Sequence, residues 1–137
     1  MRVLVTGHKG YIGSIMVPML QAEGYEVVGL DNDLFDGCVF GNRTISGDIP
    51  DIPYVKKDVR DVKRSDLQGV DAVMHLCALS NDPLGYFNPD VTYEINYKAS
   101  VKLAKIAKKA GVKRYLFSSS CSVYGDSGAD MVNEESK

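Results

Sequence analysis

The sequence has no tryptophan, only three cysteines among 137 residues, and no long hydrophobic run. The cysteines, Cys38, Cys77 and Cys121, are scattered and form no CxxC pair, so we expect neither a disulfide framework nor a metal site. The longest apolar stretches fall well short of the ~18 residues of a transmembrane helix, and the segment before Gly7 is too short for a signal peptide. These absences predict a reduced, cytoplasmic protein with no membrane partner.

An excess of basic residues is also lacking. The 16 Lys and Arg are balanced by 18 Asp and Glu, which gives a net charge of -2. Because nucleic-acid-binding proteins neutralise many phosphates with Lys and Arg, we expect no nucleic-acid partner. The hydrophobic fraction of 45% is sufficient for the core of one domain. We predict this domain over residues 1–124, followed by a loop or disordered tail over residues 125–137.

Short apolar, partly β-branched runs alternate with segments of helical periodicity. Five strands are predicted, at Arg2–Thr6, Glu26–Leu30, Pro53–Lys57, Asp71–Leu76 and Arg114–Ser118. Between the second and third strands, Asn32–Ile52 shows no clear period. The alternation is typical of right-handed βαβ units, so we predict an α/β fold with a doubly wound parallel sheet.

Three helices are predicted between these strands. The first follows Ile12 and contains Pro18, where we expect a kink because proline removes a backbone hydrogen bond. The second spans Asp61–Leu67. The third spans Asp90–Ala110, with Asp90 as its N-cap.

A glycine-rich segment joins the first predicted strand to the first predicted helix. It reads Thr6-Gly7-His8-Lys9-Gly10-Tyr11-Ile12-Gly13. Gly7 permits a tight turn, Gly10 leaves room for a pyrophosphate, and Gly13 lets the helix pack closely. Free N–H groups at the start of the helix, together with the helix dipole, favour an anion there.

Asp31 ends the second predicted strand, downstream of this turn. A carboxylate at that position accepts hydrogen bonds from a ribose diol and repels a 2′-phosphate, which favours NAD over NADP. The alternative is that the glycines are ordinary turn residues and Asp31 is a solvated strand end. His8 and Lys9 lie in this turn; we expect Lys9 to be solvent-exposed, and the alternative is a contact with phosphate. His75, inside an apolar strand, is expected to be a hydrogen-bonded core histidine.

A serine-rich segment follows the fifth predicted strand and reads Phe117-Ser118-Ser119-Ser120-Cys121-Ser122-Val123-Tyr124-Gly125. With this segment the chain resembles the extended short-chain dehydrogenase/reductase superfamily, the group of NAD-dependent nucleotide-sugar epimerases and dehydratases. Thr6–Gly13 is similar to its TGxxGxIG fingerprint and Ser118–Gly125 to its SSxxVYG segment. Between them, in the order that the family has, lie Asp58-Val59-Arg60-Asp61, His75-Leu76-Cys77-Ala78 and Asn96.

The resemblance implies a Rossmann fold and a role for each matching residue. Ser120 would hydrogen-bond the sugar hydroxyl that is oxidised and is the expected catalytic residue, with Ser122 as a secondary candidate. The cysteines in these motifs are expected to be small packing residues. The residues expected to bind NAD are Gly7, Gly10, Tyr11, Ile12, Gly13, Asp31, Asn32, Asp58, Val59, Leu76, Cys77, Ala78, Ser80, Asn96 and Ser118.

One feature of that family is missing. No Tyr-x-x-x-Lys motif follows the serine segment before Lys137. The resemblance therefore implies the NAD-binding portion of an enzyme, truncated before its substrate domain and inactive alone. The expected activity of the parent enzyme is transient oxidation of a nucleotide-sugar hydroxyl by bound NAD, with epimerisation favoured over dehydration.

Two alternatives to this function stay open, an NAD(P)H-dependent reductase of the same superfamily and a non-catalytic nucleotide-binding domain. The expected partners are a nucleotide sugar and a second copy of the chain. Self-association or marginal stability is expected because the fifth strand would leave an exposed sheet edge and an apolar patch.

Overall fold

Each strand of the central sheet is parallel to its neighbours. The computed structural model describes residues 1–35, 43–44, 47–48, 51–80, 82–125 and 131–135. Within them the strands are β1 (Arg2–Thr6), β2 (Glu26–Asp31), β3 (Arg43–Thr44), β4 (Gly47–Asp48), β5 (Tyr54–Lys56), β6 (Ala72–His75) and β7 (Arg114–Phe117). The sheet has the order β5-β2-β1-β6-β7, while β3 and β4 form a separate antiparallel pair. Because the order reverses at β1, a ligand crevice is expected beyond its carboxyl end.

The helices lie between the strands in the chain. They are α1 (Tyr11–Ala22), α2 (Asp82–Phe87), α3 (Pro89–Tyr93) and α4 (Ser100–Ala110), with a π-helical segment, Glu94–Ala99, joining the last two. Within the described ranges, short 3-10 turns occur at Val59–Asp61, Arg64–Leu67 and Cys121–Tyr124. In the described part of the chain, no helix is both long enough and apolar enough to cross a membrane.

Apolar residues of β1 alternate between the two faces of the sheet and build a core on each. Val3 and Val5 pack with Val17 of α1 on one face. Leu4, on the other face, packs with Leu103 of α4 and with residues of the 3-10 turns. Burial of both faces explains why the strands are continuously apolar rather than alternating. The predicted doubly wound α/β sheet is confirmed.

The five predicted strands are confirmed, with ends that differ by one residue or less. The predicted helix Asp61–Leu67 is wrong, because two 3-10 turns occupy this region. The side chain of Asp58 accepts a hydrogen bond from the N–H of Arg60, and Asp66 accepts one from the N–H of Lys63. These side chains accept hydrogen bonds from backbone N–H groups at the start of each 3-10 turn, and such local contacts compete with a longer helix.

The prediction that Asp90 caps the long helix is also wrong. Asn88 is the N-cap, and its Oδ1 accepts a hydrogen bond of 3.2 Å from the N–H of Val91. Pro89 follows at the first helical position, where its fixed φ favours the helix, so the helix begins earlier than predicted. The helix α2 and the pair β3–β4 were not predicted. The division of the chain at residue 124 stays a prediction.

His75 is the hydrogen-bonded core histidine that the sequence predicts. It is 1% exposed, and its Nδ1 lies 2.7 Å from Oγ1 of Thr6 while its Nε2 lies 2.8 Å from Oγ of Ser100. The Ser100 hydroxyl donates to the carbonyl of Asn96, so Oγ is free to accept from Nε2–H. This network assigns a neutral Nε2–H tautomer that links β1, β6 and α4.

We predict that His75 makes folding sensitive to acid. Burial lowers the pKa of His75 from 6.5 to about 4. Below pH 6.5 the unfolded chain binds a proton that the folded chain does not, so stability is complete above that pH and falls as the pH drops toward 4. The expected loss between pH 7 and pH 5 is about 2 kcal/mol from this residue.

Urea denaturation at the two pH values measures this loss. His75→Gln is the control, and its stability should change less between pH 7 and pH 5 than that of the unaltered protein. NMR of the imidazole groups is simple to interpret because the chain has only two histidines. A His75 ring that becomes protonated near pH 6 in the folded protein contradicts the prediction.

Candidate functional site

A cavity of about 340 Å³ lies where the sheet order reverses, beyond the carboxyl ends of β1, β2 and β6. Its wall also includes the segment that follows β5. Most of the predicted cofactor-binding residues lie on this wall, namely Gly7, Gly10, Tyr11, Ile12, Gly13, Asp31, Asn32, Asp58, Val59, Leu76, Cys77, Ala78 and Ser80. Residues that come from four separate parts of the chain therefore meet at one edge of the sheet.

Gly7 starts the turn that leaves β1. Its φ of 72° lies in the left-handed region, and a Cβ there would lie 2.9 Å from the backbone of Cys77. Its N–H donates to the carbonyl of Leu30 at 2.8 Å. A side chain at this position would therefore both strain the backbone and separate the ends of β1 and β6.

Gly13 packs the first turn of α1 directly onto the preceding loop. A Cβ on Gly13 would lie 2.3 Å from the carbonyl oxygen of Gly7 and 2.6 Å from Cα of His8. At Gly10 the added Cβ would meet only the oxygen of Gly7, at 3.2 Å. The two glycines thus differ, because Gly13 is required for packing whereas Gly10 leaves open space beside the cavity.

The start of α1 presents main-chain donors at this cavity. Gly10 is the N-cap and provides no side-chain cap, and the N–H of Ser14 makes a helical bond of 2.9 Å to the carbonyl of Gly10. The N–H groups of Tyr11, Ile12 and Gly13 precede that bond, and all three residues line the cavity. Helix-terminal N–H groups and the positive end of the helix dipole favour a phosphate at this position.

Two main-chain hydrogen bonds hold the carboxylate of Asp31 on the cavity wall. Its Oδ1 accepts from the N–H of Asp33 at 3.0 Å, and its Oδ2 accepts from the N–H of Lys9 at 3.2 Å. Each oxygen has a further lone pair for a second donor. The carboxylate is therefore preorganised to accept hydrogen bonds from a diol.

The side chain of His8 is buried beneath the glycine turn. His8 is only 5% exposed, and its ring lies over Gly29 of β2, where a Cβ would approach Nδ1 to 2.6 Å. Its ring centroid is 5.0 Å from that of Tyr54, and Nδ1 is 3.9 Å from Oδ2 of Asp31. Burial lowers the pKa of His8, although the nearby Asp31 opposes this effect. His8 is a packing residue beneath the turn, and the glycine inside β2 was the signal for such a close approach.

Several residues that line the cavity were missed by the sequence reasoning. Lys9, predicted to be exposed, is only partly so and contacts the carboxylate of Asp33. Asp33 and Leu34 follow β2, and Lys57 follows β5. The positions directly after parallel strands were the available signal for them. The remaining unpredicted residues of the wall are Leu30, Phe35, Leu79 and Ile95.

Asp58 and Asn32 lie side by side at the end of the cavity near β5. The Arg60 guanidinium binds the Asp58 carboxylate in a bidentate pair at 2.7 and 2.9 Å. Hydrogen bonds from Arg60, with a smaller one from Asn32, lower the pKa of Asp58. Asp58 thus stays ionised and acts as a hydrogen-bond acceptor at this end.

Asn96 does not line the cavity but holds one of its walls. Its Oδ1 accepts from the N–H of Leu79 and its Nδ2 donates to the carbonyl of Leu79, both at 2.8 Å. This pair of bonds fixes the segment between β6 and α2, which includes Cys77 and Ser80.

Burial raises the pKa of the Cys77 thiol to about 11, so the thiol is protonated at neutral pH. This agrees with the expectation that it is a packing residue rather than a nucleophile.

Ser118 and Ser120 lie outside the cavity wall. Both are exposed and follow the end of β7, where the N–H of Ser118 donates to the carbonyl of His75. Their predicted roles stay predictions. Within the described residues, no group of three or more His, Cys, Asp or Glu is arranged to hold a metal ion.

Comparison with known proteins gives consistent matches over nearly the whole chain. The family model described as the NAD dependent epimerase/dehydratase family matches residues 3–137. A UDP-glucose 4-epimerase from Neisseria meningitidis serogroup C is 36% identical over 140 residues, covering 98% of this chain and 41% of the relative. This chain therefore spans less than half the length of that relative.

Two solved structures are also similar to nearly the whole of this chain and to less than half of their own chains. A UDP-glucose 4-epimerase from Stenotrophomonas maltophila, with bound NAD and formylated UDP-arabinopyranose, has a TM-score of 0.80 and 32% identity, covering 99% of this chain and 42% of that one. A dTDP-glucose 4,6-dehydratase from Streptomyces venezuelae with NAD bound also has a TM-score of 0.80, at 31% identity, covering 100% of this chain and 45% of that one.

Proposed function

This chain belongs to the NAD dependent epimerase/dehydratase family, and we propose that its cavity binds NAD for the transient oxidation of a nucleotide sugar. The observation that carries the proposal is that the uncapped start of α1 and the Asp31 carboxylate line the same cavity. One element suits a pyrophosphate and the other suits a ribose diol. A dinucleotide contains a pyrophosphate next to a ribose, so its binding site requires both elements side by side.

The residues on the cavity wall suit each part of NAD in turn. The pyrophosphate would lie against the N–H groups of Tyr11–Gly13, beside the open space at Gly10. The adenosine ribose would hydrogen-bond to Asp31, and the adenine would lie near Asn32 and Asp58. The nicotinamide side would extend along the segment between Leu76 and Ser80, the wall that Asn96 holds from behind.

When bound, NAD supplies a hydride acceptor. We propose that Ser120 hydrogen-bonds the sugar hydroxyl that is oxidised. The Tyr-x-x-x-Lys pair that would abstract the proton does not occur within residues 1–137 after the serine segment. The role proposed for this chain is therefore to bind the cofactor and orient the hydroxyl, and by itself it is expected not to turn over a nucleotide sugar.

Calorimetric titration with NAD⁺ tests the proposal directly. We expect one NAD per chain, and NADP⁺ to bind at least about tenfold more weakly, because its 2′-phosphate would meet the Asp31 carboxylate. Mass spectrometry of the purified protein under native conditions should show any dinucleotide that it retains. If the folded protein retains no dinucleotide and added NAD⁺ produces neither binding heat nor a mass increase, the proposal is wrong.

A further inference from the structure

Two lysines lie beside the end of the cavity that is proposed to hold the adenosine ribose, and one buried carboxylate pairs with both. We propose that this carboxylate, Asp33, sets the preference for NAD by keeping Lys9 and Lys56 from binding a 2′-phosphate. The inference rests on the proposed function, because it assigns the specificity of the same site.

Asp33 is the centre of a cluster that draws on three parts of the chain. Its Oδ1 lies 2.9 Å from Nζ of Lys9 in the glycine turn, and its Oδ2 lies 3.1 Å from Nζ of Lys56 on β5. The hydroxyl of Tyr54 donates to Oδ2 at 3.2 Å and accepts from Nζ of Lys9 at 3.0 Å. The Asp33 side chain is 5% exposed, whereas that of Lys56 is 66% exposed. The lysines cover the carboxylate and leave it little contact with water.

The backbone at Asp33 is held in an uncommon conformation. Among the described residues it is the only non-glycine residue with a positive φ, 58°. Its N–H donates to Oδ1 of Asp31, the carboxylate proposed to bind the ribose diol. The main chain of Asp33 thus holds the Asp31 carboxylate, and the cluster around the Asp33 side chain lies directly beside the proposed ribose position.

The negative charge of Asp33 determines whether this cluster attracts a 2′-phosphate. Although burial alone would raise it, hydrogen bonds from Lys9 and Lys56 lower the pKa of Asp33, so the residue is ionised at neutral pH. A 2′-phosphate would therefore meet the Asp31 carboxylate and two ammonium groups that are already paired with the Asp33 carboxylate. Without the charge of Asp33, two ammonium groups with no carboxylate between them would remain, and these favour a phosphate through charge-assisted hydrogen bonds.

Asp33→Asn tests the inference, because asparagine tolerates a positive φ and has nearly the same shape as aspartate. Calorimetric titrations with NAD⁺ and NADP⁺ give the two dissociation constants. We expect NADP⁺ to bind about tenfold more tightly to the variant, while the affinity for NAD⁺ changes by less than about threefold. The gain for NADP⁺ should decrease as salt is added.

Two further variants isolate the cause. Adding Lys56→Ala to Asp33→Asn should remove most of the gain for NADP⁺. Glu26→Gln removes a carboxylate that pairs with Arg2 at the opposite end of the sheet, and it should leave both affinities unchanged. Should Asp33→Asn not fold, Asp33→Gly keeps the positive φ and provides the same test.

The outcomes separate the inference from the proposed function. Suppose that the unaltered protein binds NAD⁺ and that the folded Asp33 variants keep its ratio of dissociation constants for NADP⁺ and NAD⁺. This result overturns the role of Asp33 and leaves the proposed function standing. Failure of the unaltered protein to bind NAD⁺ overturns the proposed function first, whatever the variants do.

Discussion

Replacing Asp31 with alanine is expected to weaken NAD binding by about 100-fold, since a charge-assisted hydrogen bond contributes about 1.5–3 kcal/mol. The variant loses the only charged acceptor proposed for the ribose diol. It also releases the N–H groups of Lys9 and Asp33, which Asp31 now holds at 3.2 and 3.0 Å. Calorimetric titration with NAD⁺ measures the change, and urea denaturation shows whether the variant is still folded.

Asp31→Asn is the matched control for this prediction. The amide keeps the shape of the side chain and one acceptor oxygen, so the two main-chain contacts are only partly lost and the affinity should fall between those of Asp31→Ala and the unaltered protein. This order separates the charge from the structural role of the side chain. An unchanged dissociation constant in a folded Asp31→Ala variant would remove Asp31 from the proposed site.

The features that sequence reasoning predicted are those with a local physical cause. The apolar runs at Val3–Val5 and Ala72–Met74 form buried parallel strands because both faces of the sheet are covered. The glycine turn follows from backbone requirements that few other residues meet, as the φ of 72° at Gly7 shows. Asp31 was identified from its position at the end of a strand, and it lies on the cavity wall.

The features that it missed depend on contacts between distant segments. Burial of His8 requires the missing side chain of Gly29, which belongs to another strand. The cluster around Asp33 joins the glycine turn to β5, and no spacing within the chain indicates that pairing. Asn96 was assigned to the cofactor from the family resemblance, and the structure places its amide on the backbone of Leu79, behind the wall. The order of motifs in the chain does not indicate whether a side chain points into the cavity or contacts the backbone behind its wall.

Replacing Gly13 with alanine is expected to destabilise the whole fold. The new methyl group would lie 2.3 Å from the carbonyl oxygen of Gly7 and 2.6 Å from Cα of His8, and both are backbone atoms. Relief requires α1 to move away from the turn, which disrupts the core that Val17 forms with β1. We expect a loss of about 3 kcal/mol in the free energy of unfolding, at the upper end for overpacking, and no measurable NAD binding.

Gly10→Ala, three residues earlier in the same turn, separates packing from ligand binding. Its methyl group would meet only the oxygen of Gly7, at 3.2 Å, so the free energy of unfolding should change by less than about 1 kcal/mol. The same methyl group would occupy the space proposed for the pyrophosphate, so the affinity for NAD should fall at least about tenfold. Urea denaturation and calorimetric titration of both variants give the two quantities independently. Normal NAD affinity in a stable Gly10→Ala variant would contradict a pyrophosphate at this turn, whereas normal stability of Gly13→Ala would contradict the close packing of α1 on it.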